Sequence, residues 1–242
     1  MKLSLFKILC AGASLLSVWT AQPACAERAA DSLSNKRHAA TLVELYTSQS
    51  CTRCPKANAE FAEFAQTHDV IALTFAVDYW NYMGWEDTFA LPEFGARQIA
   101  INETMGRRGP YTPQVIFNAA SHCSASKLKS LTNHLKNEAK PLKDMSMSFD
   151  GEKLILDVMD SQPVDVWRAD YIPGQTFETP TDGYNRDKEM VYFNRVTVLE
   201  RIASFSEGKG ETIDRCEKSC VFIVQAADAG PVLAAISYTS SE

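Results

Sequence analysis

An α/β domain followed by a β-rich one is the fold class that three observations predict. Thr41 to Tyr46 is a β-branched and aromatic run, Pro55 to Gln66 carries apolar residues at helical spacing, and Val70 to Val77 is almost continuously apolar. Strand, helix, strand in that order makes the two strands parallel neighbours joined by a helical crossover. Past Pro141 the pattern changes to alternation and helix signals become scarce, so residues 41–140 and 141–242 are expected to be two domains.

The first 26 residues precede the fold. Lys2 and Lys7 are followed by an apolar stretch from Ile8 to Trp19 and by Ala24-Cys25-Ala26, the arrangement of a secretory signal peptide cleaved after Ala26. That stretch is too short to span a membrane stably. Residues 27–40 are polar and mixed in charge, a flexible lead-in. An exported chain works in a periplasmic or secreted, oxidising setting where disulfides persist.

The chemistry is expected where the first strand ends. Cys51 and Cys54 stand two residues apart as a helical pattern begins, with Pro55 at a first-turn position where a missing N–H costs little. A helix N-terminus favours a thiolate, and two intervening residues allow a short, reopenable disulfide. Strand, Cys-x-x-Cys and helix form the thioredoxin-like signature. Cys51 is then the exposed nucleophile, Cys54 the resolving thiol, and Arg53 a nearby cation favouring the Cys51 thiolate. Glu44, in the strand seven residues earlier, is the candidate proton acceptor for Cys54. None of the four histidines shows zinc spacing to the pair, so no metal or other cofactor is expected.

In the helix after the cysteines, Ala57, Phe61, Phe64 and Ala65 make one face and Lys56, Glu60 and Glu63 the other. The apolar strand Val70 to Val77 runs into Asp78, Tyr79 and Trp80, then Tyr82, Gly84 and Trp85. Ligands of parallel sheets bind beyond such strand ends, so Asp78, Tyr79, Trp80 and Trp85 are the candidate substrate groove. A helical insertion follows, with Phe94, Ile101 and Met105, ending near Gly106. Tyr111-Thr112-Pro113 leads into the strand Gln114 to Asn118. Pro113 is the candidate cis-proline beside the cysteines, leaving the Thr112 backbone to pair with an extended partner segment. Ser126 caps a helix carrying Leu128, Leu131 and Leu135.

In the second half, Met145 to Phe149 and Leu154 to Val158 flank Asp150-Gly151 as a hairpin. Strands are expected at Val164 to Tyr171, Val191 to Leu199, Cys220 to Ala226 and Val232 to Tyr238, a sandwich-like set. Met145 and Met147 are spaced as one inner strand face.

Without Cys10 and Cys25 five cysteines remain, an odd number. If Cys51 pairs with Cys54, then Cys123, Cys216 and Cys220 are left as structural or relay thiols. A local Cys216–Cys220 bridge and a bridge from either to Cys123 both fit. Loss of Lys2 and Lys7 leaves 22 basic against 30 acidic residues, so nothing suggests a nucleic-acid partner.

Two resemblances attach to these residues. Tyr46 to Cys54 is similar to the strand and active-site turn of glutaredoxins, with Thr112-Pro113 resembling their cis-proline loop. Over nearly all of the mature chain the sequence resembles a secreted bacterial family, domain of unknown function 1223. Its marks are Glu44 to Gln49, Cys51-x-x-Cys54-Pro55, Asp78-Tyr79-Trp80, Gly84-Trp85, Arg97-Gln98 and Tyr111 to Gln114, then Asn194-Arg195-Val196 and Gly230 to Leu233. The resemblance implies a thioredoxin-like domain followed by a β-rich one. Three positions depart from the family pattern: Ser50 stands for glycine, Ala76 for histidine and Asn81 for aspartate.

The expected function is exported thiol–disulfide exchange with protein thiols or disulfides, through a membrane-bound or soluble redox partner. The alternative is a non-catalytic binding or assembly module with a permanent Cys51–Cys54 bridge. Copper handling by the pair is a third reading, weakened by the absence of an adjacent histidine or methionine in the sequence.

Overall fold

The computed structural model describes residues 41–137, 146–150, 153–157, 163–205, 211–214 and 216–239. The expected leader at 1–26, the lead-in at 27–40, the boundary at Lys140-Pro141, Met145 and Gly151 lie outside them.

The first strand, β1 (Thr41–Thr47), is covered on both faces. Leu42 and Tyr46 enter one core cluster and Val43 and Leu45 another, as the two-residue period of a strand requires. Helix α1 (Cys54–Thr67) lays Ala57, Phe61, Phe64 and Ala65 on the Val43–Leu45 face. Burial of each such phenylalanine is worth about 1.5–3 kcal/mol, so this face holds the helix and with it Cys54. The strand β2 (Val70–Ala76) pairs with β1 in parallel, Thr41 opposite Val70 and Thr47 opposite Ala76.

A 3-10 turn at Asn81–Met83 precedes helix α2 (Pro92–Thr104), which buries Phe94 and Ile101 in the cluster of Leu42 and Tyr46. Next come β3 (Gln114–Phe117), antiparallel to β1, then β4 (Ser121–Ser124), and helix α3 (Leu128–Asn137), which buries Leu131 on the α1 side. Thus α1 and α3 lie on one face of the sheet and α2 on the other.

The remaining strands are β5 (Ser146–Asp150), β6 (Lys153–Asp157), β7 (Val164–Glu178), β8 (Met190–Phe205), β9 (Glu211–Asp214), β10 (Cys220–Ala226) and β11 (Val232–Tyr238). Eight strands form one sheet in the order β11-β10-β7-β8-β2-β1-β3-β4, and β5-β6-β9 form a second.

This architecture overturns the expected thioredoxin-like α/β domain with a helical insertion and a separate sandwich-like domain. The described residues are mostly β, with eleven strands against three α-helices, and a single large mixed sheet runs through both halves of the chain. The physical reason lies at the edge of β2, an apolar strand whose open side would otherwise leave backbone groups unpaired. The strand β8 takes that side, in parallel, with Arg195 opposite Thr74. Side chains strengthen this short seam: Thr74 Oγ1 donates to the Phe193 carbonyl at 2.7 Å and Asn194 Nδ2 to the Ala72 carbonyl at 3.0 Å. Asn194 has φ +47, a conformation asparagine tolerates better than most residues. Met147, Leu154 and Leu156 of the small sheet pack with Phe222, Val224 and Ile236 of the large one, so no self-contained sandwich forms.

Candidate functional site

The cysteine turn sits beyond the end of β1, where the chain leaves the sheet to enter α1. Cys51 and Cys54 are joined by a disulfide. The Cys51 N–H donates to the Ser48 carbonyl at 3.2 Å, and the Cys51 carbonyl accepts from the Cys54 N–H at 3.0 Å. The helix begins at Cys54, so Cys51 stands one turn ahead of it rather than inside its first turn.

Exposure differs from the sequence expectation. Cys51 is 4% exposed and Cys54 0%, so the exposed nucleophile is not found in this conformation. The bridge is packed among Met190 and Tyr192 of β8 and Phe89. The Phe89 and Tyr192 rings meet edge to face at 5.3 Å, and the Arg195 guanidinium lies 3.8 Å from the Phe89 ring centroid on that stack. Burial raises the Tyr192 hydroxyl pKa, with the Asp87 carboxylate adding to it. Arg53, by contrast, is exposed.

Gln49, two residues before Cys51, is the hub of the turn. Its side-chain oxygen accepts from Trp85 Nε1 at 2.8 Å, its Nε2 donates to Thr88 Oγ1 at 2.9 Å, and its N–H donates to Asp87 Oδ2 at 2.7 Å. Asp87 is buried and also accepts from the Phe89 N–H at 2.9 Å. Burial pushes its carboxyl pKa up, and the hydrogen bonds from Gln49, Phe89 and Ala90 pull part of the way back. Asn185 closes the other side: its Nδ2 donates to the Gln49 and Cys51 carbonyls, each at 2.8 Å.

The aromatic loop is a set of fasteners. Trp85 holds Gln49, Trp80 Nε1 donates to Thr112 Oγ1 at 2.8 Å, and Tyr79 OH donates to Gln98 Oε1 at 3.1 Å. Asp78 is half-buried, its carboxylate near Gly95 of α2. The Thr112–Pro113 peptide bond is cis, and both residues are buried, Thr112 being 2% exposed. Register places Gln114 opposite Tyr46, so Pro113 stands level with the end of β1 from which the cysteine turn departs. The structure thus brings Cys51, Cys54 and Trp85 into one assembly and joins Trp80 to Thr112.

Glu44 is not part of it. It shares the Tyr46 side of β1, opposite the face that receives α1, and its carboxylate accepts from Arg97 Nε at 2.8 Å. The second disulfide joins Cys216 to Cys220. Cys123, on β4, is the free cysteine among the described residues, its thiol pushed up to about 12 by burial.

Asp87 and Asn185 escaped sequence reasoning. Asp87 had a faint signal as the last residue of the Gly84-Trp85-Glu86-Asp87 run. Asn185, beside Gly183 in a polar loop, reads as an ordinary turn residue. Among the described residues no helix is long and apolar enough to cross a membrane, which leaves membrane-spanning strands unaddressed.

Comparison with solved structures gives two similarities. A protein of Agrobacterium tumefaciens, known from its crystal structure, is 27% identical, with 84% of this chain and 95% of that one covered and a TM-score of 0.66. HBP35 of Porphyromonas gingivalis, 12% identical, shares the fold with a TM-score of 0.53 over 84% of this chain and 75% of its own. No curated protein matches. A family model described as Protein of unknown function (DUF1223) matches residues 42–225, and the chain belongs to that family.

Proposed function

We propose that the protein performs thiol–disulfide exchange at Cys51–Cys54, outside the cytoplasm, with protein dithiols or disulfides as partners. The observation that carries the proposal is the bridged pair, two residues apart, at the mouth of α1 in a turn pinned by Gln49, Asp87 and Asn185. A pinned turn returns both sulfurs to the same positions after each cycle, which exchange requires. The signal-like first 26 residues and the second bridge at Cys216–Cys220 support an oxidising compartment.

In the reductive half-cycle a partner thiolate attacks Sγ of Cys51, the less deeply buried of the two residues. The Cys51–Cys54 bond breaks, its electron pair stays on Cys54 Sγ, and a mixed disulfide forms. The second thiolate of the partner attacks the partner's own sulfur in that bond, and Cys51 leaves as a thiolate. Two electrons pass to the pair and the partner becomes a disulfide.

Burial of the pair favours a second reading, a permanent bridge within a binding or assembly module. The reduction potential of Cys51–Cys54 separates the two. A value above about −300 mV, with turnover of a model disulfide, supports exchange, whereas a lower value without turnover assigns the bridge to structure.

A further inference from the structure

The connection between β7 and β8, residues 179–189, lies over the cysteine turn and is fastened to it at few points. Within it Pro180 and Asn185 are buried, and the other side chains are exposed or half-buried. Asn185 is the buried polar side chain of this loop, at 0% exposure. Its carboxamide donates to the carbonyls of Gln49 and of Cys51 itself. Next to it Gly183 lies flat against Trp85, so close that an added Cβ would stand 2.7 Å from the Trp85 Cβ. Immediately past the loop, Met190 and Tyr192 pack on the disulfide.

These contacts differ from the apolar packing that holds the sheet. The loop's own backbone bonds, Arg186 N–H to Gly183, Asp187 N–H to Pro180 and Lys188 N–H to Asn185, are all internal. It can therefore keep its shape as it leaves the surface, giving up the two carboxamide bonds, the Gly183–Trp85 contact and the burial of Pro180. Segments with few buried contacts are the ones that open locally.

We propose that Asn185 is a latch: the 179–189 loop is a cover held over Cys51 by this carboxamide, and an outside thiolate reaches Cys51 Sγ only after the latch lets go. The proposal rests on the exchange reading of the pair and adds to it how access is controlled. A carboxamide suits the role, because both bonds are made by one neutral group to backbone carbonyls, and neither depends on pH or on the oxidation state of the sulfurs.

The test is reduction of the full-length protein by dithiothreitol, with each new thiol alkylated and located by mass spectrometry, so that Cys216–Cys220 serves as an internal control. Loss of two hydrogen bonds in Asn185→Ala should speed reduction of Cys51–Cys54 by about tenfold and leave Cys216–Cys220 unchanged. An unchanged rate at Cys51–Cys54, or equal acceleration of both bridges, overturns the latch. A second measurement needs no variant. In the wild-type protein, hydrogen exchange of the Asn185 Nδ2 protons, which the Gln49 and Cys51 carbonyls hold until the loop lifts, gives the opening rate, and reduction of Cys51–Cys54 should never outrun it; reduction faster than opening overturns the cover. If Asn185→Ala is reduced faster but neither protein turns over a model disulfide, the exchange reading fails while the latch stands.

Discussion

Arg97 and Glu44 meet in the core, Nε to Oε1 at 2.8 Å, with side chains 2% and 0% exposed. The same guanidinium donates through Nη1 to Gln225 Oε1 at 2.9 Å and lies 5.5 Å from the centroid of the Trp167 ring. One cation therefore ties α2 to β1, β10 and β7. Burial works to lower the Arg97 pKa, but Glu44 and Tyr46 together outweigh it and keep the guanidinium firmly charged.

Removing one member of this pair strands the other. Arg97→Leu is expected to cost about 3–5 kcal/mol, because an unpaired carboxylate is left buried. Glu44→Gln/Arg97→Leu should recover part of that loss. Urea unfolding of the three proteins measures both effects. Equal stability of the single and double variants would show that the charge on Glu44 is not the source of the cost.

The exchange reading predicts an asymmetry between the cysteines. Cys54→Ser leaves Cys51 able to form a mixed disulfide that no intramolecular thiol resolves, so a covalent adduct should accumulate in cells. Cys51→Ser leaves a thiol at a position of zero exposure and should trap little. Non-reducing gels of the two variants report the difference, and equal trapping by both would remove the assignment of roles.

Asp87 should make stability fall as pH rises. Its carboxyl is raised by burial above the ordinary 3.8, so the folded state holds the proton more tightly than the unfolded chain. The stabilisation is complete below about pH 3.9 and is lost as pH climbs through the folded-state pKa. Thermal unfolding of Asp87→Asn against the wild type across pH 3–7 reads this out. The difference in Tm should change in the weakly acidic range, and a constant difference would exclude Asp87 as its source.

The thiol count follows from the two bridges. Among Cys51, Cys54, Cys123, Cys216 and Cys220, unfolding without reductant should release a single reactive thiol, that of Cys123. In the folded protein at pH 8 that thiol, with a pKa pushed up to about 12, carries almost no thiolate and should alkylate far more slowly than after unfolding. Fast native alkylation would mean that β4 is open at this point.

Local pattern made the first half of the sheet readable. The strand ending at Tyr46, the cysteine turn, the helix of Phe61 and Phe64 and the apolar strand from Val70 stand close to their expected bounds, because each rests on periodicity within a few residues. The strands β10 and β11 coincide with the runs expected at 220–226 and 232–238. The lengths of β7 and β8 were not readable. Pro173-Gly174 suggests a turn, yet it lies in an irregularity within one long strand, where the Gly174 N–H donates to Asn194 Oδ1 at 2.8 Å. Ser121-His122-Cys123-Ser124 and Glu211 to Asp214 lack apolar alternation and form strands through their neighbours. No local signal tells that β8 will dock beside β2, which is why two halves that read as separate share a sheet. The site divides in the same way: the cysteines were legible from spacing, whereas the burial above them depends on Met190, Tyr192 and Asn185, far along the chain.

That distance gives the covered disulfide a history. Asn185 lies 134 residues after Cys51, so during synthesis both sulfurs emerge well before Asn185, Met190 and Tyr192 have been made. The interval offers oxidants an approach to the nascent pair before these later residues exist to close over it.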